Sequence, residues 1–563
     1  MADYYVSNNG NDASDGRSVN TPWATLTKVT SSVFAPGDTI RFQRGGVWIG
    51  QLNASGSGTA DAPIVYGAYG YGDNPVILSS LAVSAGAWTK TGGLTNVYQA
   101  TVTGGHIDQV WASSEFSVWD ASFQWAAKVA SAAACDVSPG RCFYDTTTDT
   151  LYLHTWDSSN PAVDGDTYSV TVYESGVSSE GWDYLQFEDL SSLFVASHGF
   201  FTADVNNGLP WRVSTGVTFR RCYQYGAVHN GFSLLGVDIA AEDCEVRYYR
   251  NDGAFVLADA RVADPSNPAT NRLTLTRCTA GLNPAFGGLS AYAFKPEGTP
   301  SNVMLTDCDI TGDCTIGVFT NGGETVSGFT ITNLAISGAV GVGVSDDDSF
   351  DLVIDGLTMT SPASAYGVAV NTNSGFVLRN STVAGALAAV SMGVTADAMV
   401  YRNTLDGGAI YGVLMTAGGS HEIVNNVIVG TGYGVVWTDA TLITSDVIKN
   451  NIFVGHASVM VYNSATAIDE DYNIGHDVTW WANDALTLTA YRAATSLGAA
   501  SNVVNPWFVN EGAGDYHLKG GSPAVDAGAV VPPITDGFTG PAPDIGRYEA
   551  DGPLAVAYSL WLP

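Results

Sequence analysis

Ten short segments of this chain repeat one another, and their spacing constrains its fold more than any other feature. Val-Thr-Phe-Arg-Arg-Cys222 is followed by Ile-Ala-Ala-Glu-Asp-Cys244, Leu-Thr-Leu-Thr-Arg-Cys278 and Val-Met-Leu-Thr-Asp-Cys308. The series runs on through Asn333-Leu334, Gly356-Leu357, Asn380-Ser381, Asn403-Thr404, Asn426-Val427 and Asn451-Ile452. Successive copies stand 22, 34, 30, 26, 23, 24, 23, 23 and 25 residues apart. A period in the low twenties, built from short β-branched runs and turns, predicts a coil of strands stacked on itself. Each rung carries a second strand, as in Gly341-Val-Gly-Val344, Gly367-Val-Ala-Val370, Gly412-Val-Leu-Met415 and Gly434-Val-Val-Trp437. Alternation predicts Val342, Val344, Val368, Val370, Val413, Met415, Val435 and Trp437 inside.

The predicted fold is therefore all-β, a parallel β-helix with an N-terminal cap and a β-rich insertion. Residues 1–80 form the cap and first coils, with a short helix expected over Ala24–Val33. Residues 81–183 break the register. They hold Trp111, Trp119, Trp125 and Trp156 and a hairpin pattern from Phe143 to Leu153. The four tryptophans suit a packed core, with sugar stacking as the alternative. The repeat array spans 184–463, closing coils follow over 464–550, and the apolar tail 551–563 is expected to dock. A column of Asn333, Asn380, Asn403, Asn426 and Asn451 predicts a side-chain hydrogen-bond ladder at one bend.

Acidic residues outnumber basic ones by 55 to 22, a formal charge of −33. That excludes a nucleic-acid phosphate backbone as ligand, which needs a basic surface. It leaves cation capture or a neutral glycan, beside plain solubility. No run of apolar residues is long enough to insert in a bilayer. No leader is visible at Met1, which suits a chain intracellular when made, a virion component released by lysis or one whose signal has been removed; an extracellular or virion setting is expected. Cys222, Cys244, Cys278 and Cys308 share one register and should stack as small buried hydrophobes. Cys135 and Cys142 flank a Ser-Pro-Gly turn, which leaves a local disulfide open.

The opening YYVSNNGNDASDG…PWATL…PGDTI and the closing SPAVDAG…DIGRYE, with the rungs between, resemble the end pieces of right-handed parallel β-helix proteins of the pectate-lyase-like superfamily. That resemblance covers nearly the whole chain and implies the fold. The superfamily holds polysaccharide lyases, glycoside hydrolases, epimerases, phage tailspikes and non-catalytic adhesins, so fold alone does not choose an activity. A polysaccharide partner is implied, cleaved or only bound. A tailspike-like homotrimer or virion attachment through the apolar tail is an alternative.

The polar residues of neighbouring rungs between His229 and Asp348 are the expected site. Elimination from a uronate needs a base, for which Lys295 or His229 serves, and a proton donor, for which Arg250 or Tyr249 serves. Glu297 with Asp346, Asp347 and Asp348 offers oxygen ligands for Ca2+, an ion that lyases of this superfamily commonly use with a Lys or Arg base. Hydrolysis instead needs two carboxylates flanking the bond, for which Asp252, Asp259 and Glu297 are the candidates.

Overall fold

The computed structural model describes residues 1–102, 110–113, 124–204, 212–249, 253–258, 271–281, 292–320, 325–347, 349–359, 365–371, 375–393, 397–438, 445–461, 468–483 and 485–550. The chain divides into two compact units, Met1–Pro300 and Ser301–Pro563. Within each unit the strands repeat as a coil with three parallel sheets, here called first, second and third in the order the chain visits them.

In the first unit, the first sheet stacks Asp3–Val6 on Thr39–Gln43, Ile64–Tyr69, Leu185–Glu188 and Thr218–Arg220, and continues to Asn271–Thr276. The expected helix is Leu26–Thr30, shorter than the pattern suggested. The Thr25 hydroxyl caps it by accepting from the Lys28 amide. Asp12 secures that corner by accepting from the amides of Ala24 and Thr25 and from the Thr25 hydroxyl. Val33 falls outside the helix and is 86% exposed, so only Leu26 and Val29 anchor it.

The coil is filled by aromatic columns that follow the strand register. Phe200, Phe232, Phe255 and Phe294 face inward from the third sheet, with successive ring centroids 4.5, 5.1 and 5.4 Å apart. Tyr66, Phe187 and Phe219 do the same from the first sheet, at 5.2 and 5.3 Å. Cys222, Cys244 and Cys278 are buried at the turn that follows the first sheet, as expected, with the Cys278 thiol 3.3 Å from the Ala241 carbonyl. The residue before each, Arg221, Asp243 and Arg277, holds φ of 50–54°. Such left-handed corners favour Asn, Asp or Gly. The arginines are compatible here because they project outward and pair with an acid one rung away: Arg221 with Asp189 at 2.7 Å, Arg277 with Asp243 at 2.6 Å.

The insertion folds as two small sheets, one antiparallel group of strands over residues 80–171 and another containing the expected hairpin Arg141–Asp145 with Thr150–His154. Trp88 and Trp156 pack on Tyr168 in its core. Trp119 lies outside the described residues, as do the side chains of Trp111 and Trp125. Cys135 and Cys142 are both buried free thiols, so the disulfide left open by the sequence is not formed. Their sulfurs face different carbonyls, those of Ser131 and Ala126.

In the second unit, the corner of positive φ passes through Asp307, Asn333, Gly356, Asn380, Arg402, Asn425, Asn450 and Tyr472. The inward residue that follows each is Cys308, Leu334, Leu357, Ser381, Asn403, Asn426, Asn451 and Asn473. The strand register on either side fixes this alignment. The expected asparagine column is therefore two columns. Asn333 and Asn380 belong to the exposed corner, where they donate to Asp307 and Asp355. Asn403, Asn426, Asn451 and Asn473 form the buried ladder, in which the Oδ1 of each later member accepts from the amide and the side-chain nitrogen of the asparagine one rung before.

Second-strand alternation also breaks at one place. A Cβ on Gly317, Gly343 or Gly412 would strike the core, so each glycine points inward, and so does the valine after it. Val344, Val368, Val370, Val413, Met415, Val435 and Trp437 are buried as expected. Val342 precedes such a glycine and is only half-buried, which corrects its inward assignment.

His456 gives this unit an acid-sensitive joint. Its Nε2 donates to the Ile428 carbonyl at 3.0 Å, and Nδ1 is buried without a partner among the described residues. Burial pushes the imidazole down to about 4 from its ordinary 6.5. The unfolded chain therefore takes up this proton as pH falls through 6.5, while the folded chain resists until about 4. The histidine's contribution is present above that window and is lost across it, by about 3 kcal/mol. Urea midpoints at pH 7 and pH 4 should show His456→Gln losing less stability on acidification than the wild type. Equal acid losses in the two proteins would refute this assignment.

Candidate functional site

On the third sheet of the first unit, a repeated pattern sets the outward columns. His198-Gly-Phe-Phe, Asn230-Gly-Phe-Ser, Gly253-Ala-Phe-Val and Tyr292-Ala-Phe-Lys align on their inward phenylalanines. The residue two before each Phe and the residue after it face out, because the pair between them turns into the core. The outward columns are thus His198, Asn230, Gly253 and Tyr292, then Phe201, Ser233, Val256 and Lys295. Ala258 and Glu297 are neighbours one position beyond the next inward residue.

Lys295 is 9% exposed, and its ammonium stands 3.3 Å from Glu297 and 5.6 Å from the centre of the Tyr292 ring. A lysine buried this far is uncommon unless it is paired. Two strands earlier, the Asn230 amide donates to the Ser233 hydroxyl at 2.9 Å, and Ser233 stands 2.8 Å from His198 Nδ1. The His198 ring lies flat on Phe201, centroids 4.6 Å apart. With one lone pair taken by Asn230, the serine oxygen keeps a second lone pair and its own proton, so it pairs with Nδ1 in either imidazole tautomer. A Ser–His contact and a Lys–Glu ion pair thus lie on one face, and both are side-chain types that carry protons in catalysis. About 10 Å separates the Ser233 and Lys295 strands, two rungs at the interstrand spacing.

The other expected residues are distributed as follows. His229 is half-buried in the turn that leads into Asn230. Tyr249 is wholly buried inside the coil, so it does not present a proton donor to the outer face. Arg250, Asp252, Asp259 and Asp348 lie outside the described residues. In the second unit Asp346 is 1% exposed, with Oδ1 accepting from the hydroxyls of Thr320, at 2.5 Å, and Ser349. Burial raises its carboxyl above the ordinary range. Asp347 accepts from Asn371 at 3.0 Å.

Calcium asks for six or more oxygens converging on one point. Glu297 is committed to Lys295, and Asp346 is turned into the coil towards two hydroxyls. Among the described residues no three His, Cys, Asp or Glu side chains converge on one point. Glu297, Asp346 and Asp347 therefore form no such set among the described residues, and Asp348 lies outside them.

A second buried acid, Asp446, accepts from His421 Nδ1 at 2.8 Å and from Trp437 Nε1 at 2.7 Å. All three side chains are within the coil, which makes this network structural. The sequence reading missed His198 and Ser233. The signal for them was present: aligning the rungs on the repeated Phe rather than on Cys puts His198, Asn230, Gly253 and Tyr292 in one column.

Residues 316–473 match the family model described as right handed beta helix region. A lacto-N-biosidase from Bifidobacterium longum subsp. longum is 36% identical over 127 residues, which are 21% of this chain and 7% of that protein. The chain thus spans a small part of that relative's length. Among solved structures, a mannuronic acid specific polysaccharide lyase from human gut microbiota aligns with TM-score 0.46 at 11% identity, over 91% of this chain and 93% of that one. A lacto-N-biosidase from Eubacterium ramulus aligns with TM-score 0.32 at 14% identity, over 74% of this chain and 64% of that one. By its three-sheet coils, and by the family match over residues 316–473, the chain has the right-handed parallel β-helix fold.

Proposed function

We propose that this chain binds and cleaves a polysaccharide on the outer face of the third sheet of its first unit, by elimination at a uronate. The observation that carries the reading is Lys295. Its column holds Phe201, Ser233 and Val256 in the preceding rungs, so an apolar or small residue satisfies the fold there. A nearly buried lysine beside a tyrosine, paired with a glutamate whose side chain is 37% exposed, serves chemistry better than it serves stability. The lacto-N-biosidase relative favours a saccharide as the ligand class.

In this reading the amine of Lys295 removes the proton next to the uronate carboxylate, and Glu297 stabilises the ammonium that forms. The electron pair released becomes the ring double bond. The bond to the leaving oxygen breaks, and that oxygen takes a proton from water or a neighbouring acid. Hydrolysis is the second reading, favoured by the name of the sequence relative and requiring a carboxylate partner for Glu297.

Incubation with a panel of acidic and neutral polysaccharides, with and without chelator, separates these. Elimination yields an ultraviolet-absorbing unsaturated product. Reducing ends released without that absorbance would replace elimination by hydrolysis. Binding with no product of either kind would leave recognition without cleavage.

A further inference from the structure

The third sheet of the second unit is built on the same rung plan with different chemistry. Its strands are Cys314–Thr320, Val340–Asp346, Tyr366–Val370, Ala388–Met392, Tyr411–Met415, Tyr433–Trp437, Ser458–Val461 and Trp480–Ala482. None of them contains Lys, Arg or His. Strand register puts Tyr366, Ala388, Tyr411, Tyr433, Ser458 and Trp480 in one column, each beside the next. The four aromatic side chains are partly exposed, whereas Ala388 and Ser458 are fully covered. Tyr411 and Tyr433 stack with centroids 6.1 Å apart and planes 25° apart. Tyr366, Tyr411, Tyr433 and Val461 pack over Ala388, Leu414 and Val436, which fixes the rings in place. Beyond the outward column of Ala369, Ser391, Leu414 and Val436 runs a further row, Asp347, Asn371, Gly393, Thr416 and Thr438, in which the backbone amides of Asn371, Gly393, Thr416 and Thr438 each bond one rung back.

We infer that this aromatic column is a binding platform for an uncharged stretch of a saccharide chain. The C–H face of a pyranose ring is apolar and weakly positive, and the face of a tyrosine ring is apolar and negative. Rungs rise by about 4.8 Å, close to the length of one sugar unit along a chain, so successive units meet successive rungs. The ligand's charge follows from what the strands lack. A polyuronate over this column meets no cation from any of the eight strands. The rings are held rigidly, which lowers the ordering cost of binding.

This inference rests on the reading of the chain as a polysaccharide-binding protein and adds the charge class and the residues. Calorimetric titration of the full chain with cello-, manno- and xylo-hexaose, and with an oligouronate, tests it. At least one neutral hexaose should bind, and Tyr411→Ala with Tyr433→Ala should weaken it by about tenfold or more. Tyr411→Phe with Tyr433→Phe keeps the rings and should retain most of the affinity, which separates a lost platform from a lost fold. Lys295→Met should leave this affinity unchanged, so failure of the catalytic reading and failure of the platform remain distinguishable. Binding by the oligouronate alone, or neutral binding unaffected by the alanine pair, overturns the platform. A change in molar mass by light scattering on alanine substitution, without a change in saccharide binding, assigns the column to a second copy of the chain instead.

Discussion

Replacing Asn426 by Ala should cost about 3–5 kcal/mol, whereas Asn333→Ala should cost about 1 kcal/mol. Both are asparagines at the same bend, one residue apart in rung register. Asn426 is fully buried and makes bonds in three directions. Its amide and side-chain nitrogen donate to Asn451 Oδ1, both at 3.0 Å. The side-chain nitrogen also donates to the Val400 carbonyl at 2.8 Å. Its own Oδ1 accepts from the amide and side chain of Asn403. Truncation strands these buried partners away from water, and each stranded group costs about 1–3 kcal/mol before relaxation. Asn333 is at the left-handed corner, φ 53°, with one exposed bond to Asp307. There alanine loses mainly backbone compatibility. Urea midpoints of the two variants check the difference; equal losses would mean that the ladder is not the buried column assigned here.

That one-residue distinction also marks where the sequence stops being readable. Asparagine suits both the left-handed corner and an inward amide ladder, so Asn380 and Asn403 look equivalent when rungs are aligned by residue type. The pairing of Arg379 with Tyr401 is what separates them. The coil itself was legible because strand-and-turn copies 23 to 26 residues apart from Cys308 onward suit a stacked solenoid and few folds besides. Val342 was misplaced for a related reason. Strict alternation assumes a flat strand, and the glycine that follows lets two successive residues turn inward.

The candidate site was half legible. Lys295 and Glu297 stand out in sequence because a charged pair interrupts an apolar rung, and the structure brings them within 3.3 Å. The Ser233–His198 contact joins residues 35 apart in sequence, and only the strand register relates them. Asp346 shows the opposite limit. An Asp-Asp-Asp run reads as a solvent-facing ligand set, yet its first member turns into the coil towards Thr320 and Ser349. Nothing in composition reveals which member of such a run faces inward.

The account's central claim is that Lys295 performs chemistry rather than holding the fold. Substituting Lys295→Met keeps the apolar stem and removes the ammonium. Glu297 is 37% exposed in its side chain and stays hydrated without its partner, so stability should change by no more than about 1 kcal/mol. Removal of a proton-transferring group should slow cleavage by about a hundredfold or more. The direct measurement is the rate of product formation by wild type and Lys295→Met on whichever polysaccharide the panel shows to be cleaved, with urea midpoints as the control. A hundredfold fall in rate at an unchanged midpoint is the predicted result. Cleavage by Lys295→Met at the wild-type rate would contradict the account and move the chemistry away from this face.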